Sequence, residues 1–456
     1  MQEVVKMGIG IRIDNELAKI GEVRKDKSKR MKDSGIEWIG EIPEEWELKP
    51  LRAIFQERKE KNNPIKTKNI LSLTAEQGVI PYNKKSRVGG NKPKEDLTKY
   101  HLTYKNDIVM NSMNILSGAV GLSKYFGAIS PVYYSFYTRN NAYNPDYYYR
   151  LFQTEAFQKN LFGLGNGIVI RKSKSSGKLN TIRMRIPMFK LNSLILPVPS
   201  IEEQKRISLF LNKKVDKIDN IIKKVKNSID DFSKYKEALI IEVTTKGLNQ
   251  NVRMKDSRIA WIGEAPEHWK LVKAKYVIYK LSRERIMNGN TIICSNSGKT
   301  ILRGERNTGL VSETQHDYQG VEVGDLLIHG MDTWHGAIAI SKYRGDCTSV
   351  VHVCDSNQNK EYLAYFLRML AIKQVYKAIS NGVRENTSDF RSWEKVGDIV
   401  IALPSIYEQE QIVDYLNNKC LEIDKIIEAK EQLIEELESY KKSLIYEYVT
   451  GKKQVN

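Results

Sequence analysis

A chain of 456 residues, 41% hydrophobic and 28% charged, is too long for one ordinary domain and has material for two or three packed cores. No stretch approaches 18 uninterrupted apolar residues, which excludes a membrane-spanning helix, and the four cysteines (Cys294, Cys347, Cys354, Cys420) lack a CxxC pair, which excludes a disulfide framework. The net charge of +18 is uneven: residues 31–199 hold 26 Lys/Arg against 14 Asp/Glu, residues 254–404 hold 20 against 17, and residues 405–456 are net −4, so basic charge gathers early and points to a polyanionic partner.

Residues 1–30 read as an N-terminal extension, disordered or adding phosphate contacts. They end in a basic run and lack the apolar core and cleavage site of a signal peptide. With reduced cysteines, this predicts a cytoplasmic protein. The stretch MKDSGIEWIGEIPEEWEL (31–48) then opens a repeat. It returns as MKDSRIAWIGEAPEHWKL (254–271), identical at 13 of 18 positions. Further pairs follow in the same order. Residues 106–132 are answered by 324–350, 146–168 by 361–383, and 196–222 by 401–427. The offset falls from 223 to 218, 215 and 205, so two copies of one module keep their frame while the second has lost loop residues.

Each module has a globular part, 31–199 or 251–404, in which short β-like runs (107–110, 119–122 and 132–137 in the first) alternate with a helical stretch at 146–162. This predicts an α+β domain. A long helix follows each, over 200–250 and 405–456. Ser200 with Glu203, and Ser405 with Glu408, stand at capping-box spacing behind prolines. Leu211, Ile218, Ile222, Val225, Ile229, Phe232 and Leu239 form one apolar seam. Leu416, Cys420, Ile423, Ile427, Ile434, Leu437 and Leu444 form the other. About forty residues at 1.5 Å each make a rod of about 60 Å, and each narrow seam needs a partner. The expected fold class is therefore α+β: two heads separated by a pair of long antiparallel coiled-coil helices, with a pseudo-twofold internal repeat. Lys213, Lys214, Lys217, Lys223, Lys224 and Lys226 against Glu428, Glu431, Glu435, Glu436 and Glu438 predict a charge-matched pair.

The duplicated order W-I-G-E-x-P-E-x-W, N/G-D-[IL] with a Gly-Ala hairpin, N-G-[IV], and P-S-I-x-E-Q leading into a coiled coil resembles the specificity subunit of type I restriction–modification enzymes. The resemblance runs from about Met31 to the C-terminus. It implies two target-recognition domains, each reading one half of a bipartite site in double-stranded DNA, and helices that set the spacing. It also implies a non-catalytic chain docked by two methyltransferase subunits on the helices and heads, with restriction/translocase subunits joining through them and no membrane. No cofactor is expected on this chain; S-adenosylmethionine, ATP and Mg would be used by the complex.

If shared positions are scaffold, the segments that differ between the heads should read the DNA. The hairpin tips differ: Asn111 and Asn114 in the first head, His329, Asp332, Thr333 and His335 in the second. Asn can pair bidentately with adenine, and Asp can accept from the cytosine amine. After N-G the first head carries an acid-free segment with Arg171, Lys172, Lys174, Arg183 and Arg185, and the second a short one with Arg384 and Asn386. Such cations suit phosphates, and an Arg can reach guanine. The third pair of segments holds Lys84, Lys85 and Arg87, or Arg303 and Arg306.

Other features read as scaffold. Asn144-Pro145-Asp146-Tyr147 is similar to the N-P-P-Y motif of adenine methyltransferases, but no cofactor loop accompanies it, and the counterpart at Tyr362 reads as lacking the Asn-Pro. Gly163–Gly167 lacks the strand and Lys-Ser/Thr ending of a nucleotide loop, and Cys347, His352 and Cys354 fit no zinc spacing. Trp38, Trp46, Trp261 and Trp269 recur in both heads, as packing groups would. The rival function is a coiled-coil adaptor with two protein-binding heads and no DNA role.

Overall fold

The computed structural model describes residues 30–74, 77–84, 93–112, 118–161, 164–165, 170–172, 179–181, 185–286, 290–305, 318–380 and 389–455. Residues 1–29 of the predicted N-terminal extension lie outside them. The elements that carry the argument are β1 (Phe55–Glu57), β2 (Ile108–Asn111), β3 (Val120–Leu122), β4 (Tyr133–Thr138), α1 (Pro145–Phe152) and the 46-residue α2 (Ile201–Lys246). Their counterparts are β5 (Ile278–Lys280), β6 (Leu326–His329), β7 (Ile338–Ile340), β8 (Val351–Ser356), α3 (Lys360–Ile372) and the 44-residue α4 (Ile406–Val449). The chain divides into two compact units, one of residues 1–223 with 433–456, the other of residues 224–432.

In the first unit an antiparallel sheet runs in the order β1-β4-β2-β3, with Tyr133 opposite Asn111 and Phe136 opposite Ile108. Ile108, Val109 and Met110 are all buried, because both faces of the sheet are covered. A small hairpin, Leu71–Thr74 with Gly78–Pro81, packs Leu71 and Val79 on Val109. It lies so close to β3 that a Cβ on Gly121 would stand 2.9 Å from Leu73 and Val79. Tyr147, Tyr148, Leu151 and Phe152 of α1 are buried too, with Tyr148 edge-on to Phe55 at 5.2 Å.

The Asp of the N/G-D-[IL] motif proves structural. Asp107 is buried and accepts from Arg58 Nε at 2.6 Å and Nη2 at 3.0 Å, while Arg58 lies over Tyr104 and Tyr137. In the second unit Asp325 pairs with Arg283 in the same way.

The head closes when Ile195–Val198 pairs antiparallel with Glu47–Pro50. The chain then enters α2, whose Glu203 amide donates to Ser200 Oγ at 3.2 Å, as the capping spacing requires. The Glu203 carboxylate also accepts from the Trp46 indole at 3.1 Å. Trp46 is 1% exposed, so the repeated tryptophan seals the head onto its helix.

Within this unit α2 and the end of α4 run antiparallel, with Phe210 against Tyr448 at 4.6 Å and Lys441 paired to Asp219 at 2.6 Å. Tyr147 donates to the carbonyl of Val449 at 2.7 Å, and Tyr446 to that of Trp38 at 3.1 Å. The C-terminal turn is thereby locked to the head. Gly451, at φ +76°, lies against Pro43 and Trp46, where a Cβ would fall 2.3 Å from Pro43 Cδ. Gly451→Ala is expected to cost about 1–3 kcal/mol from strain and overpacking. Amide exchange should quicken over residues 446–452; unchanged exchange there would refute this account of the turn.

The second unit repeats this topology: sheet order β5-β8-β6-β7, and Lys270–Lys273 paired with Val400–Leu403. Trp269, also 1% exposed, donates to Glu408 at 3.0 Å. The Glu408 amide donates to Ser405 Oγ. Tyr362 donates to Ala402 O at 2.6 Å and also reaches Thr244 O. One core joins Leu239, Ile240 and Val243 of α2, Ile412, Leu416 and Cys420 of α4, and Tyr362, Phe366 and Leu370 of α3. Here too the long helices are antiparallel, with Lys236 paired to Asp424 at 2.6 Å and Lys430 over Phe232.

The α+β class and the antiparallel long helices are thus as expected. Two details differ. The interhelix ion pairs Lys236–Asp424 and Lys441–Asp219 involve other residues than the lysines and glutamates singled out by composition, since pairing follows register along the seam. Asn144-Pro145 is a helix cap: Asn144 Oδ1 accepts from the Asp146 amide. The counterpart lacks the Pro, which is Lys360, but keeps the Asn: Asn359 caps α3 by accepting from the amides of Glu361 and Tyr362.

Candidate nucleic-acid interface

In both heads the sheet brings the hairpin tip and the segment after N-G to one end. In the second head β6 and β8 terminate there, His329 opposite Val351. The tip turns through Thr333–His335 and returns at Gly336, φ +82°, with the His329 amide donating to Ala337 O. The segment after N-G comes back to this tip, where the Phe390 amide donates to Gly330 O at 3.1 Å. Gly330 has no room for a Cβ, which would stand 2.8 Å from Phe390 O. The third segment re-enters the described residues at Tyr318, and Gln319 next to it donates to Val351 O at 2.6 Å. The hairpin tip and the segment after N-G therefore meet at the His329–Val351 end of the sheet, and Gln319 brings there the chain that follows the third segment.

The first head repeats the arrangement. Ser112, beside Asn111, accepts from the Ile186 amide at 3.2 Å, and Tyr134 donates to Ile186 O at 3.0 Å. The N-G segment thus ends against the hairpin base, as in the second head. Its described part is a two-stranded ribbon, Ile170–Lys172 against Leu179–Thr181, with Arg171 opposite Asn180. A ribbon of this width is one of the two elements a major groove admits.

The individual residues fall as follows. Asn111 ends β2, half-buried. Arg171 and Lys172 lie in the ribbon, and Lys84 in the short turn Tyr82–Lys84 after the small hairpin. Arg185 is exposed, its guanidinium 6.0 Å from the Tyr134 ring. Arg303 follows the matching hairpin of the second head and donates to the Tyr318 hydroxyl at 3.2 Å. His335 is exposed and stacks on Trp334, ring centroids 3.7 Å apart. Lys85, Arg87, Asn114, Lys174, Arg183, Arg306, Arg384 and Asn386 lie outside the described residues.

Thr333 must be corrected. Expected on the reading tip, it is 0% exposed, because the short helical turn folds it inward while His335 points out. It can support the tip but not touch a base.

His329 and Asp332 stand side by side at the tip. Nδ1 stands 3.5 Å from the Asp332 carboxylate and accepts from the Asp332 amide at 3.2 Å. Burial pulls the His329 pKa below its ordinary value, opposed by the Asp332 charge. The same cause holds His352 low; its Nε2 lies 2.7 Å from Phe390 O, within the scaffold under the tip. Burial also pushes the Cys347 thiol up to about 12. Among the described residues, no group of three His, Cys, Asp or Glu side chains is set to hold a metal. No helix there is long and apolar enough to cross a membrane.

Sequence reasoning missed Phe390 and Gln319, which tie segments to the tip of the second head, and Arg58 and Asn359, which brace the heads elsewhere. Only Asn359 left a signal, at the 215-residue offset from Asn144.

No family model matches the chain. Among curated proteins, the type I restriction enzyme MjaX specificity subunit of Methanocaldococcus jannaschii is 25% identical over 445 residues, covering 91% of this chain and 96% of that protein. The MjaVIII specificity subunit of the same organism is 26% identical over 280 residues, 57% of this chain and 62% of that one. Among solved structures, a chain from a study of complex assembly and conformational transition in a type I restriction–modification system matches in fold. Its TM-score is 0.66 at 12% identity, covering 90% of this chain and 99% of that chain. The resemblance to type I specificity subunits therefore extends along nearly the whole sequence.

Proposed function

We propose that this relative of the type I specificity subunits is itself a non-catalytic DNA reader, in which each of two heads recognises one half of an asymmetric, gapped target. The observation that carries the reading is the duplicated frame in which the hairpin tip and the segment after N-G, both different between the heads, meet at the same sheet end in each. Identical readers would suit a palindrome; different ones suit two different half-sites. The basic ribbon of the first head fits the phosphate contacts that dominate DNA affinity. Half-sites on one face of the duplex favour centre-to-centre spacings near one helical turn, about 34 Å.

In this reading the chain binds no cofactor. Two methyltransferase subunits dock on the paired helices and heads and bring S-adenosylmethionine. Restriction/translocase subunits join through them and use ATP and Mg. The chain directs adenine methylation or cleavage by choosing where these partners sit.

The test is to co-express the chain with its cognate methyltransferase subunit in a methylation-free host and map modified adenines by long-read sequencing. The expected result is one asymmetric motif with a fixed gap. A palindromic or ungapped motif would rule out two different readers. No methylation, with both proteins intact and associated, would favour the protein-binding adaptor.

A further inference from the structure

Each long helix opens on a glutamine without an exposed atom: Gln204 and Gln409 are both 0% accessible. Gln204 Oε1 accepts from the Asn144 amide at 2.8 Å, and its Nε2 donates to the carbonyls of Pro199 at 2.8 Å and Ala142 at 3.2 Å. Gln409 Oε1 accepts from the Asn359 amide at 3.0 Å, and its Nε2 donates to Pro404 O at 3.0 Å and Gln358 Oε1 at 2.9 Å. Both amides join the same two places, the strand-to-helix junction and the cap of the head's own helix. Neither faces the surface where the divergent segments gather.

Eight residues along each helix, about 12 Å, stands a second tie. Arg150 donates to Asn212, which donates to Asp146; in the other head Tyr365 donates to Asn417, which donates to Glu361. The apolar contacts between head and helix are non-directional and tolerate rotation. Directional bonds at these two points, beside the Trp46–Glu203 and Trp269–Glu408 bonds, do not. A buried amide that loses its partners costs the desolvation of each group left behind, so the joint holds one angle.

We propose that Gln204 and Gln409 are positioning residues that fix the angle at which each head leaves its helix, and through it the gap between half-sites that the chain accepts. The inference rests on the bipartite reading above. One added base pair moves a half-site about 3.4 Å along the duplex and about a tenth of a turn around it, which a head on a fixed joint cannot follow.

Two variants of the full-length chain at Gln409 test it, each co-expressed with the cognate methyltransferase subunit and read by the same adenine mapping. Gln409→Met keeps the volume and removes the amide. Gln409→Asn keeps an amide too short to reach Pro404 and Asn359 together. Both half-sites should stay the same, while methylation at gaps one base pair longer or shorter rises about tenfold over the wild-type level. Gln204→Met should behave alike. A wild-type gap distribution in either variant that accumulates overturns the proposal, as does a uniform fall in methylation at an unchanged gap, the mark of a merely structural role. A changed half-site sequence overturns it too, since the residue would then act in reading. A wild-type chain with no gapped motif removes the bipartite reading itself, before any variant is compared.

Discussion

Replacing Arg171, Lys172, Lys174, Arg183 and Arg185 together by glutamine is expected to weaken DNA binding about a thousandfold at low salt and to flatten its salt dependence. Each phosphate contact contributes about 0.9 to the slope of log affinity against log salt, so the slope should fall by about four. These five cations belong to a segment with no acidic residue, so no internal partner within it competes for them. Arg171 and Lys172 lie in the ribbon formed by Ile170–Lys172 and Leu179–Thr181. Fluorescence anisotropy on the cognate duplex between 50 and 200 mM salt would measure the change. Thermal unfolding should stay within about 1 °C of wild type, since surface substitutions away from the core change little. Arg303→Gln in the second head removes a single cation and should lower the slope by about 0.9 at most. An unchanged slope in the fivefold variant would place the ribbon away from phosphate and weaken the DNA reading.

The second large effect concerns stability. Asp107→Ala should cost about 3 kcal/mol, at the lower end for a broken buried pair because Arg58 retains some solvent access. Besides Arg58, the Asp107 carboxylate accepts from the Tyr104 amide at 2.9 Å and from Ser135 Oγ at 3.2 Å. Removing it strands a guanidinium between two tyrosine rings together with two further donors. Unfolding in urea would report the loss. The double variant Arg58→Met/Asp107→Leu should recover much of it, since an apolar pair of similar volume avoids the uncompensated charge. A loss below about 1 kcal/mol for Asp107→Ala would mean that water satisfies the stranded groups.

Much of the frame was legible because it depends on neighbours in the chain. The Ser200 and Ser405 caps form as their spacing requires, since capping needs only residues three apart. Most of the seam residues are buried, Leu211, Ile218, Ile222, Leu416, Ile423 and Leu444 among them, since a helical period alone places them on one face. The tryptophans pack as their recurrence suggested. Partners distant in the chain left no such trace. Arg58 meets Asp107 across 49 residues and Tyr147 meets Val449 across 302, and no local pattern distinguishes these pairs from other tyrosines and arginines.

At the candidate interface, the comparison of repeats located the differing segments, and the sheet explains why two of them lie together: the hairpin tip and the segment after N-G meet where β2 or β6 ends. It does not follow that every residue in them faces outward. Thr333 and His335 are two positions apart on one short turn, and the first is enclosed while the second is open. The amino-acid sequence by itself determined the duplication, the caps, the helical seams and the charge of the ribbon, all matters of composition and short-range period. Which side chains the tip exposes, and which polar groups hold each head on its helix, only the tertiary structure decided, because burial and hydrogen-bond partnership are set by residues that the chain brings together from far apart.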